Sequence, residues 1–68
     1  MEFNSDIKQE FNIEGEDVCG EYIQFYFYGT LEQARIECEK TLDYAGGGHL
    51  DIFLSGDCDD QFIEDVEW

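Results

Sequence analysis

Carboxylates are the groups that give this sequence its chemistry. Eighteen Asp and Glu stand against three Lys and Arg, a formal net charge of −15 on 68 residues. The densest run lies in the last dozen residues: Asp57, Asp59, Asp60, Glu64, Asp65 and Glu67. Glu32 and Glu39 add two more on a stretch with helical spacing. Carboxylates can hold a metal, move protons, or pair with Lys and Arg of another molecule. The spacing of the other residues decides among these roles.

A metal site is not expected. Asp57-Cys58-Asp59-Asp60 opens like a calcium loop, but such a loop needs Gly at its sixth position and Glu at its twelfth. Phe62 and Trp68 stand there instead. Cys19, Cys38 and Cys58 form no CxxC pair, and His49 is the one histidine, so no zinc signature appears. Reduced thiols in a cytosolic protein are the simplest reading of three unpaired cysteines. Catalysis is not expected either. His49 follows three glycines and has no Ser or Cys beside it in sequence to activate. No cofactor motif is present.

Pairing with a basic partner is the remaining role. A small domain stays soluble with a net charge of roughly 2–8, so the excess suggests a use. Direct nucleic-acid binding is not expected, because it requires a basic patch. A globule of this length is roughly 28 Å across. That length of duplex carries about 16 phosphates, so the chain matches DNA in charge over a comparable distance.

The elements that must position these carboxylates can be read from periodicity. Tyr22 to Tyr28 alternates without a break, with Ile23, Phe25 and Phe27 on one face and Tyr22, Gln24, Tyr26 and Tyr28 on the other. This stretch reads as the central strand. Gly29 ends it, and Thr30 with Gln33 forms a capping box for a helix. Leu31, Ala34, Cys38, Thr41, Leu42 and Ala45 share one stripe, and Gly46-Gly47-Gly48 stops the helix. Residues 7–14 read as a strand and Gly15-Glu16-Asp17 as a turn, with Gly20 as a candidate bulge. Leu50, Ile52 and Leu54 mark a strand, and 61–67 a closing strand that turns Glu64 inward unless a bulge intervenes. The expected fold is one α+β domain over residues 1–68. It has a four-stranded, mostly antiparallel sheet with one helix on one face, in the order ββαββ. Its core should be Ile23, Phe25, Phe27, Leu31, Ala34, Cys38, Leu42, Leu50, Ile52 and Leu54. Tyr22, Tyr26, Tyr28 and Phe53 should share the face away from the helix, where tyrosine suits a protein interface. Ile36 is expected to be a lone exposed apolar residue.

The acidic start, Met1 to Asp6, is not a signal peptide, and no apolar run is long enough to span a membrane.

On length, on a capped helix between strands, and on acidic residues throughout, the whole chain resembles the small acidic anti-CRISPR proteins of phages and mobile elements. The resemblance is one of type and carries no shared motif. It implies a stoichiometric inhibitor, in the cytoplasm of a bacterial host cell, that acts as a DNA mimic. The partner would be a basic DNA-binding protein or a CRISPR surveillance complex, with no membrane involved and the protein itself a monomer. The resemblance transfers no residue by position; the density of the last hairpin is what places the partner-facing surface at Asp57, Asp59, Asp60, Glu64, Asp65 and Glu67, with Glu32 and Glu39 as further candidates. The other reading is an acidic module for a basic partner that is not a DNA-binding site.

Overall fold

The computed structural model describes residues 4–55 and 61–68. Four strands and a helix follow in the order β1 (Gln9–Asp17), β2 (Tyr22–Gly29), α1 (Leu31–Ala45), β3 (Gly48–Leu54) and β4 (Gln61–Glu67). All neighbouring strands are antiparallel, and their spatial order is β2-β1-β3-β4. The ββαββ arrangement expected from the sequence is therefore present.

The strand order corrects one expectation. Tyr22–Tyr28 is not central: β2 is an outer strand, and β1 and β3 form the middle. Since β2 and β3 both run antiparallel to β1, they are parallel to each other, and α1 carries the chain across β1 between them. The buried core follows the middle strands: Phe11 and Ile13 from β1, Leu50 and Ile52 from β3, and Leu31, Ala34, Cys38 and Leu42 from α1. Ile23, Phe25, Phe27 and Leu54 are only partly buried, joined by Ile63 and Val66. An outer strand has a neighbour on one side only, so its apolar face cannot be sealed as β1 and β3 are.

The start and stop of α1 are as expected. Thr30 Oγ1 accepts from the Gln33 amide at 3.3 Å, and Gln33 Oε1 accepts from the Thr30 amide at 3.0 Å. Gly46 closes the helix at φ 89°, a left-handed conformation open to glycine at little cost. The first turn differs from expectation. Gly15-Glu16-Asp17 is strand, and the reversal falls at Val18–Gly20. Asp17 makes it, its Oδ1 accepting from the amides of Cys19 at 2.9 Å and Glu21 at 2.8 Å. Gly20, at φ 83°, belongs to this reversal rather than to a bulge. Gly15 is inside the strand because β3 lies against it: a Cβ there would run into the His49 carbonyl.

The bulge is in β4 instead. Phe53 pairs with Phe62 and Ile52 with Glu64, leaving Ile63 as an extra residue between them. Phe62 then lies on the open face with Phe53, their rings 5.7 Å apart and edge to face. Ile63 packs against the core, and Glu64 shares the helix side with Ile52. No helix among the described residues is long and apolar enough to cross a membrane.

Candidate protein-binding face

Helix α1 covers one face of the sheet and leaves the other open. The register sorts the open face into rows across the strands. One row is polar and acidic: Gln24 of β2, Glu14 of β1, Asp51 of β3 and Asp65 of β4. The next is Tyr22, Glu16, His49 and Glu67. The third is apolar except for Asn12: Tyr26, Asn12, Phe53 and Phe62. Of these twelve side chains five are carboxylates, all in the first two rows, and three of the four aromatic ones lie in the third.

Glu14, Asp51 and Asp65 are direct cross-strand neighbours in succession. Side chains so paired stand about 4.5–5.5 Å apart at Cβ, and like charges in that position are destabilising. Among the described residues no cation pairs with them. The chain has three Lys and Arg in all, and none of Lys8, Arg35 and Lys40 stands in these rows. Arg35 is engaged on the other side of the sheet. Its Nε donates to both carboxylate oxygens of Glu64 at 2.9 Å, and its Nη2 lies 2.8 Å from Oε1. That hydrogen bond, then the charge of Glu64, raises the Arg35 pKa further above its ordinary value. Lys8 and Lys40 line a cleft of about 420 Å³ between β2 and α1.

The structure divides the carboxylates expected to form one surface. Asp65 and Glu67 are on the open face, as their alternation in β4 requires. Glu64 is on the helix side and committed to Arg35. Glu32 and Glu39 are exposed on α1, across the sheet from Asp65. Asp57, Asp59 and Asp60 lie outside the described residues. The open face instead joins Asp65 and Glu67 to Glu14, Glu16 and Asp51, from strands far apart in sequence. The alternation of Asp51 with Leu50 and Ile52, and of Glu14 with Ile13, was the available signal; which strands adjoin was not.

Two hydrogen bonds order the β2 side of this face. The Tyr22 hydroxyl donates to Glu14 Oε2 at 3.1 Å, and Gln24 Nε2 donates to Asn12 Oδ1 at 2.7 Å. Loss of water around the Tyr22 hydroxyl, then its bond to Glu14 and the charge of that carboxylate, push its pKa up. The expected grouping of Tyr22, Tyr26, Tyr28 and Phe53 on one face holds. Tyr26, Tyr28 and Phe62 are each more than half exposed there.

Among the described residues, no group of three or more His, Cys, Asp and Glu is placed to hold a metal ion. Among the described residues His49 has Glu16 and Glu67 as its cross-strand neighbours. Cys38 is buried in the core, and burial, then the nearby Glu37, raises its thiol pKa to about 12, leaving it a poor nucleophile. Cys19 is exposed in the first turn. No family model, curated protein or solved structure matches the chain.

Proposed function

We propose that this protein is a stoichiometric inhibitor that occupies the DNA-binding groove of a basic protein, its carboxylates replacing phosphates. The observation that carries this reading is the uncompensated row Glu14, Asp51 and Asp65 on the open sheet face. A fold selected for stability alone would alternate charges at cross-strand positions. The molecule is 36 Å long, and duplex DNA of that length carries about 21 phosphates. Lys and Arg of the target would meet the row through charge-assisted hydrogen bonds, bidentate for Arg, and long-range attraction would speed encounter. By its resemblance in type, the target is a CRISPR surveillance complex or nuclease in the cytoplasm of a bacterial host.

The second reading, an acidic module for a basic partner outside any DNA site, is favoured by the aromatic row. Tyr26, Phe53 and Phe62 have no counterpart on a phosphate backbone, and they suit a protein surface that is basic at one side and apolar at the other.

Competition separates the two. A captured target should release its DNA as this protein is added, with affinity falling steeply as salt rises. Asp51→Asn with Asp65→Asn keeps size and removes two charges, and should weaken binding at least about tenfold. Asp59→Asn with Asp60→Asn tests the preceding segment in the same way. A target that holds DNA and this protein together, with neither weakened, leaves the second reading.

A further inference from the structure

β2 is an outer strand of eight residues with no charge, no proline and no bulge among the register pairs it makes with β1. Soluble proteins guard such edges with charged residues, proline, bulges or short length, because unpaired N–H and C=O groups invite another strand. An unguarded edge is the more unexpected in a chain with 18 carboxylates available. The two ends of this edge also differ in charge. At the Gly29 end, Lys8 and Lys40 line the cleft with Phe27, Tyr28, Ile36 and Glu37, and Glu10 pairs with Tyr28, so two lysines stand against two carboxylates there. At the Tyr22 end stand Glu21, exposed in the turn, and Glu14, bonded to the Tyr22 hydroxyl. Neither lysine makes an ion pair among the described residues.

We propose that β2 pairs with β2 of a second copy of this chain, antiparallel across a two-fold axis near Phe25, joining two four-stranded sheets into one of eight strands. A two-fold contact must be complementary to itself, and this edge is. Antiparallel pairing sets the lysine end of one copy beside the carboxylate end of the other. With Phe25 on the axis, Tyr22 faces Tyr28 of the second copy on the open side, and Ile23 faces Phe27 on the helix side. Aromatic and β-branched pairs of this kind are the favourable cross-strand combinations. β4 cannot serve in the same way: its bulge and its Glu64, Asp65 and Glu67 are the devices that discourage pairing. The dimer departs from the monomer expected from the sequence, and it is independent of which partner the open face takes. That face remains uncovered in it.

Sedimentation equilibrium tests the pairing. The wild type should show a mass twice the 7.9 kDa of the chain. The dimer should tighten as salt rises, because screening relieves repulsion between two chains of −15 each. Target binding should weaken over the same range, so the two readings fail separately. Tyr26→Glu puts a carboxylate near the axis and should weaken self-association at least about tenfold. Phe62→Glu makes the same charge change on the same face at the other edge, and should leave the dimer intact. Circular dichroism checks that both variants fold. Amide exchange by NMR gives a second readout: the dimer protects the β2 amides that point away from β1 as well as those that point toward it. A wild-type monomer at every concentration and salt, or a dimer lost in Phe62→Glu and kept in Tyr26→Glu, overturns the proposal.

Discussion

β4 ends the sheet with a bulge at Ile63, a two-pronged ion pair from Glu64 to Arg35 and two further carboxylates, Asp65 and Glu67. β2 ends it with three tyrosines, a glutamine and no charge. Both strands present one half-buried apolar side to the helix, Ile23, Phe25 and Phe27 in one case and Ile63 and Val66 in the other. Their support from the core is alike, so the difference between them concerns what lies outside the sheet. β4 is closed to further pairing, while β2 offers backbone and aromatic surface. In so acidic a chain, keeping charge off one edge is as informative as piling it on a face.

That comparison assumes that the middle strands hold the fold and the outer ones do not. The largest effect should therefore come from the middle. Phe11→Ala empties a fully buried site and should cost about 3–5 kcal/mol, close to the whole stability of a domain this small. Phe25→Ala, on half-buried β2, should cost about 1–2 kcal/mol. Urea unfolding measures both, and a larger loss at Phe25 would return β2 to the centre of the core.

The next effect is at the closed edge. Arg35 and Glu64 are 48% and 29% exposed, so the pair lies in the surface regime despite its good geometry. Glu64→Gln should cost about 0.5–1 kcal/mol. A double-mutant cycle with Arg35→Met isolates the pairwise part. A coupling near zero would mean that the bulge alone closes β4.

The smallest effect distinguishes the edges in alkali. The Tyr22 pKa is raised in the fold, so its contribution is complete below the ordinary tyrosine value and is lost as pH rises through the raised one. Arg35, raised as well, stays charged over that range and keeps β4 closed. The melting temperature should fall less on going above pH ~10 in Tyr22→Phe than in the wild type. Equal falls would show that the hydroxyl bond to Glu14 does not secure β2.

How far the sequence can be read follows from the range of each signal. The capping box of Thr30 and Gln33, the glycine stop and the period of Leu31, Ala34, Cys38 and Leu42 are local, and each is present in the structure. Strand order is not local. β1 and β2 alternate equally well, and the aromatic content of Tyr22–Tyr28 makes it resemble a centre when it is an edge. Gly15 held the contrary clue: a glycine inside an alternating run marks a close approach by another strand, here β3. The site shows the same limit. Asp65 and Glu67 could be singled out from their own density, but their neighbours Glu14 and Asp51 come from strands whose adjacency is decided by that order.

Cys38 gives the molecule a clock of its own. Its side chain has no exposed surface and its thiol is held to about pH 12, so an alkylating reagent reaches it only when the fold opens. Exposed Cys19 reacts at once and serves as the internal standard. Mass spectrometry assigns each modified cysteine, so the rate at Cys38 reports the opened fraction of unlabelled protein. A partner that binds only the folded chain must slow that rate by the factor by which it is bound. Neither the partner nor the protein then needs a tag, and a candidate can be recognised in a mixture by the reaction it delays.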